Sequence, residues 1–280
     1  MDEKFMKMPE GQHALDVVDF LVERGYNVIY VALYGAQNYN LQRESSDYDY
    51  KAVVVPKLED IVFNAKPTSL TLDLPFDGQV DVKDIRLMVD QWKKGSSNFT
   101  ELLFSKWYWV NPDYPPMMFF RYFNEAIAHA NEASALRAML GQMEEKFHAL
   151  DHPYPVQVDE VNKYGYAAKQ LSHEMRLYDM MCRFYTDSYS DLLNPTQNPA
   201  INLNYWNSIR DIKTRKVSLP KDEAIKLGKQ LVEDGRALYK AYEEKGFYFA
   251  ADILDAMDKA KFDIIKIALK KELREEEEDN

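Results

Sequence analysis

A single cysteine among 280 residues, Cys182, leaves the chain without an internal disulfide or a cysteine-built zinc site. No apolar run approaches the roughly 20 residues that span a bilayer. The opening MDEKFMKMPEGQ has no apolar signal-peptide core, so a soluble, cytoplasmic protein without a membrane partner is expected. Positive charge is in short supply. Lys and Arg number 35 against 46 Asp and Glu, and the net charge of −11 disfavours a long nucleic acid as partner. Part of that acidity lies in KKELREEEEDN, read as a solvated helix end. Walker A loops, dinucleotide fingerprints, zinc-protease helices, repeats and low-complexity linkers are all absent, and His13, His129, His148 and His152 have no ligand-like spacing.

What is present is an ordinary globular balance, 46% hydrophobic and 29% charged, in a chain long enough for one domain or two. ALDVVDFLVERGY (14–26) reads as an amphipathic helix ending at Gly25. Strands are expected at 27–34, 47–55 and 78–83, the last from Val80 and Val82 alternating with Asp81 and Lys83. This half is therefore α/β or α+β. From about residue 116 helical periodicity takes over, with helices expected over 131–150, 161–186, 201–212, 220–244 and 249–273. NPDYPP (111–116) marks the expected boundary, giving domains at 1–115 and 116–280.

The chemistry concentrates in GAQNYNLQRESSDYDY (35–50), which follows the apolar run NVIYVALY. In a strand Asp47 and Asp49 share a face, their Cα atoms roughly 6.7 Å apart. Two like charges so placed are either solvated at a strand mouth or hold a cation. Gly35 supplies a turn after a strand, where backbone N–H groups of Gly35, Ala36, Gln37 and Asn38 can meet a phosphate. A phosphate cradle followed by paired carboxylates is what metal-assisted phosphoryl or nucleotidyl transfer requires.

YGAQNYNLQRESSDYDYKAVVVP resembles the hG[GS]…Dh[DE]h signature of the DNA polymerase beta-like nucleotidyltransferase superfamily. It is most similar to a subgroup of stand-alone bacterial and phage members with a GSxxYGL…SDxDxxxVxVxP motif. DVKDIRLMVDQWKKGSSNFTELLF (81–104) is similar to that subgroup's continuation, and Lys169, His173 and Arg176 in YAAKQLSHEMRL are similar to its K…H..R pattern. The resemblance implies an α+β fold, a small mixed sheet with flanking helices followed by an all-helical C-terminal domain. It implies an enzyme that moves a nucleoside monophosphate from an NTP to a hydroxyl acceptor, which is a protein side chain, an RNA end or a small molecule. Mg²⁺ or Mn²⁺ would be held by Asp47, Asp49 and Asp81, with Asp81 also the third catalytic carboxylate. Gly35, Ala36, Gln37, Asn38, Lys169, His173 and Arg176 would meet the nucleotide phosphates.

Two positions depart from the motif. Ala36 stands where the family has Ser, and Asn40 where it has the glycine of YGL. A catalytically degenerate, antitoxin-like module that binds nucleotide or a partner is thus a second reading, and a helical assembly protein a third. Asp84 is the alternative third carboxylate and also the expected N-cap of IRLMVDQWKK. Lys169, His173 and Arg176 share one helical face, with a solvated face paired to Glu174 and Asp179 as the alternative. Asn98 reads as a helix cap and Glu101 as a surface acid, while Arg43 and Lys51 flank the motif either as phosphate contacts or, as is more usual, as exposed cations screening the acids.

Overall fold

The computed structural model describes residues 8–42, 46–76, 78–193 and 203–278. The fold is α+β, with a five-stranded mixed sheet, flanking helices and a helical C-terminal region. In chain order the first half comprises α1 (Pro9–Val22), β1 (Val28–Leu33), β2 (Tyr50–Val54), α2 (Leu58–Val62), β3 (Ser69–Asp73), β4 (Gln79–Asp84), α3 (Ile85–Lys93), α4 (Ser97–Thr100), a 3₁₀ turn (Glu101–Leu103) and β5 (Tyr108–Val110). The strand order is β3-β4-β2-β1-β5. β2 pairs parallel with β4 and antiparallel with β1, while β3 and β5 are antiparallel edges.

The sheet is covered on both faces. α1 starts at Pro9, whose missing N–H costs nothing in a first helical turn. It buries Ala14, Val17, Val18 and Leu21 in one core with Val31, Leu33, Ala52, Val54, Val80 and Val82. On the other face α3 buries Ile85, Met88, Val89 and Trp92 with Ile29, Tyr30, Ala32 and Val53. Asp84 caps α3 as expected, its carboxylate accepting the Arg86 N–H at 2.8 Å. The three expected strands belong to this one sheet, but Asp47 and Asp49 lie ahead of β2 rather than within it. The ladder begins only where Tyr50 finds Leu33 on one side and Val80 on the other.

The later helices are α5 (Met117–Tyr122), α6 (Asn124–Ala128), α7 (Glu132–His148), α8 (Val158–Tyr164), α9 (Ala168–Arg183), α10 (Tyr189–Leu193), α11 (Leu203–Lys213), α12 (Lys221–Lys245) and α13 (Ala251–Glu278). The helix expected over 161–186 is two helices, because Gly165 takes a left-handed φ of 82° between α8 and α9.

Packing divides the chain into two units: Met1–Asn38, Glu44–Ala130 and Ala250–Asn280 form one, Tyr39–Arg43 and Asn131–Phe249 the other. Packing thus does not follow a single cut at 115/116. Met117, Phe120 and Ile127 of α5 and α6, with Leu254, Met257 and Ile264 of α13, share the α3 core of unit one. An amphipathic period marks a helix without naming its partner. In unit two, α9 packs on α7, α11 and α12.

Candidate functional site

β1 delivers Tyr34 and Gly35 to the end of the sheet. Gly35 has a φ of 83°, which a side chain rarely tolerates, and Asn38 N–H closes the turn onto Gly35 C=O at 3.0 Å. No helix follows. Residues 36–40 remain in turns, so any anion site here rests on turn amides without a helix dipole. The turn is anchored by Asn38 Nδ2 donating to Leu33 C=O at 3.0 Å and Gln37 Nε2 donating to Asp47 C=O at 2.7 Å. Asn40 keeps a left-handed φ of 53°, a conformation asparagine tolerates better than most residues.

Asp47 is exposed and Asp49 half-buried, and Tyr34 N–H donates to Asp49 C=O at 3.0 Å. Beside them, parallel pairing sets Lys51 of β2 against Asp81 of β4. Val80 and Val82 face the α1 core, so Asp81 projects from the opposite face, where Lys51 Nζ lies 3.1 Å and Lys83 Nζ 3.3 Å from its two carboxylate oxygens. The expected exposed screening lysine is in fact 6% exposed, in the middle of a wholly buried strand. Its ammonium lies 4.0 Å from the Tyr34 ring centroid and 4.7 Å from that of Phe99.

Glu101 is a second correction: the expected surface acid is 2% exposed. Its 3₁₀ turn is fixed through its carbonyls. Arg121 Nη1 donates to Leu103 C=O at 2.6 Å, Tyr30 O–H to Leu102 C=O at 2.5 Å, and Asn124 Nδ2 to Leu103 C=O at 3.2 Å. Burial raises the Tyr34 hydroxyl pKa, and the negative charges of Asp49, Glu101 and Asp81 raise it further. Gly78 had no sequence signal beyond a turn before β4, yet its Cα abuts the Tyr48 backbone between the two acids.

Among the described residues no group of three or more His, Cys, Asp or Glu side chains is placed to hold a metal ion. The donor chemistry fits a smaller role. Two carboxylates, Asp47 and Asp49, suit a Mg²⁺ that keeps waters and takes phosphate oxygens for its remaining ligands. Both oxygens of Asp81 lie on ammonium groups, one on Lys51 and the other on Lys83.

Unit two carries the other predicted residues on α9. Lys169 is exposed, His173 half-buried and Arg176 buried, its guanidinium 3.8 Å above the Tyr39 ring. The His173 pKa is held well below its ordinary value, by burial first and then by Arg176, Lys169, Lys213 and Lys146. The imidazole is therefore neutral at physiological pH. The alternative of pairing with Glu174 and Asp179 does not hold: Asp179 binds Arg183 at 2.6 Å, and Glu174 is fully buried. Lys213, which sequence reasoning did not single out, donates to Leu41 C=O at 2.9 Å. Arg43 lies outside the described residues. No described helix is long and apolar enough to cross a membrane.

No protein-family model matches the chain, and no curated protein matches it. Among solved structures it is similar to the crystal structure of a nucleotidyltransferase-like protein from Exiguobacterium sibiricum 255-15. The identity is 8% and the TM-score 0.28, over 82% of this chain and 74% of that one. A likeness at that level carries no weight for mechanism, which rests on the residues described above.

Proposed function

We propose that the chain is a metal-dependent nucleotidyltransferase that moves a nucleoside monophosphate from an NTP to a hydroxyl acceptor. The observation that supports this best is the placement of Asp47 and Asp49 just ahead of β2, tied to the Gly35 turn by Gln37 Nε2 donating to Asp47 C=O at 2.7 Å and Tyr34 N–H donating to Asp49 C=O at 3.0 Å. In the reaction the acceptor oxygen bonds to the α-phosphorus, the bond to the β-phosphate oxygen breaks, and pyrophosphate leaves with that electron pair. Asp47 and Asp49 would hold Mg²⁺, which when bound offsets phosphate charge. Amides of the Gly35–Asn38 turn hold phosphate oxygens. Asp81, 3.1 Å from Lys51 Nζ and 3.3 Å from Lys83 Nζ, is assigned to receive the acceptor proton.

Pyrophosphate release with each NTP, with Mg²⁺ or Mn²⁺ and a panel of protein, RNA and small-molecule hydroxyls, is the test. The parent should release pyrophosphate, and its metal-dependent thermal stabilisation by NTP should vanish in Asp49→Asn. Undiminished Mg²⁺-NTP stabilisation in Asp49→Asn would sink the assignment. Ala36 and the lysine-bound Asp81 favour the second reading, a nucleotide- or partner-binding module, and that reading is upheld by metal-dependent nucleotide binding without release across the whole panel. Ala36→Ser adds at most one hydrogen bond to the turn, about 0.5–1.5 kcal/mol, so a gain of a few-fold to roughly tenfold in NTP affinity or rate is expected.

A further inference from the structure

Lys51 is an unusual occupant of a buried strand. Its strand neighbours Tyr50, Ala52, Val53 and Val54 are all buried, and lysine is among the residues least often buried without a partner. Desolvating an ion pair commonly costs as much as the pair returns, and an apolar residue of similar volume serves folding as well or better. Yet here a buried ammonium bridges to Asp81 at 3.1 Å, walled by Tyr34 and Phe99, with Lys83 at 3.3 Å on the other carboxylate oxygen. Strand register enforces the arrangement, because Lys51 and Asp81 are direct partners in the parallel ladder. It also lies two residues beyond Asp49, whose carbonyl accepts the Tyr34 N–H at 3.0 Å, and the Tyr34 ring centroid is 4.0 Å from the Lys51 ammonium.

Resting on the nucleotidyltransferase reading, we infer that the Lys51 and Lys83 ammonium groups replace the second divalent cation of a two-metal phosphoryl-transfer site, so that one metal ion suffices. Charge bookkeeping motivates this. Asp47, Asp49 and Asp81 with two divalent ions present a single net positive charge to the triphosphate. The same three carboxylates with two ammonium groups and one divalent ion present the same charge. Asp81 then serves as the counter-charge of the lysines, which agrees with the absence, among the described residues, of any three-ligand metal group. Lys51 is a positioning residue that fixes Asp81 and supplies permanent charge where a dissociable ion would otherwise be needed.

Counting Mn²⁺ ions per chain by electron paramagnetic resonance, in the presence of an NTP analogue with a non-hydrolysable α,β linkage, tests the inference without turnover. The parent and Lys51→Arg should each bind one ion per chain. Lys51→Met, which frees one oxygen of Asp81 and removes a positive charge, should bind two. Two ions in the parent, with nucleotide bound, overturn this inference and leave the nucleotidyltransferase reading standing. A parent that binds no nucleotide overturns both. One ion in a folded Lys51→Met overturns the replacement role. If Lys51→Met does not fold, Lys83→Met in the same assay decides, because it removes the other ammonium from a half-buried site. Two ions there support the inference and one opposes it.

Discussion

Glu174→Gln is expected to stabilise the protein at neutral and alkaline pH and to leave it unchanged near about pH 4. Both carboxylate oxygens of Glu174 are buried without a hydrogen-bond partner, packed between α9 and Gly228 of α12. Burial alone pushes its pKa up to about 9. In the unfolded chain the same group titrates near its ordinary value of about 4.3. Below that value both states carry the proton and nothing is lost. As pH rises toward 9 the unfolded chain ionises while the folded one retains its proton, so stability falls throughout that window and levels off above it. Three units of separation at about pH 7.5 correspond to roughly 4 kcal/mol, and local relaxation brings the expected gain from Glu174→Gln to about 2–4 kcal/mol. Urea denaturation of parent and variant from acid to alkaline pH measures it. Parallel curves would mean that Glu174 is ionised and compensated in the folded protein.

Gly78→Ala should have an effect of comparable size and opposite sign, from a different cause. The glycine has a φ of 142°, and a Cβ there would lie 2.1 Å from Tyr48 O and 2.8 Å from Tyr48 C. Both obstacles are backbone, so no side-chain rotation relieves the contact. Strain and forced displacement together should cost about 3 kcal/mol or more. Because Tyr48 stands between Asp47 and Asp49, the displacement should also abolish metal-dependent nucleotide stabilisation. Gly35→Ala is the contrast: φ is 83° but a Cβ meets nothing within 4 Å, so only the conformational penalty of about 1–2 kcal/mol applies. Thermal unfolding with and without Mg²⁺-NTP separates the two variants. Equal, small effects would show that the Tyr48 segment yields freely.

The parts of this fold that were legible in sequence are those whose pattern follows from local geometry. Alternation in QVDVK placed Val80 and Val82 on one face and Asp81 on the other, and the NVIYVALY run marked β1. β5 was missed because three residues carry no period, and β3 because its alternation runs between exposed and half-buried positions at a sheet edge. Lys51 and Glu101 were misplaced for a common reason. Charged residues are rarely buried, so a local reading assigns them to water, and only the pairing of distant strands reveals the compensating charge of Asp81 for Lys51. Lys213 escaped because its link to Leu41 spans a sequence separation of 172 residues.

The placement of α13 bears on how the protein is made. Its Leu254, Met257 and Ile264 complete the core that α3, α5 and α6 begin, and Lys93 binds Asp258 at 2.6 Å. The intervening residues 131–249 belong to the other unit. On a translating ribosome, which extends a chain at roughly 5–20 residues per second, the sheet must therefore wait for α13 with Trp92, Met117 and Phe120 uncovered. Unit two has its whole sequence available first. The first half of the chain therefore completes its core only once the last helix has been made.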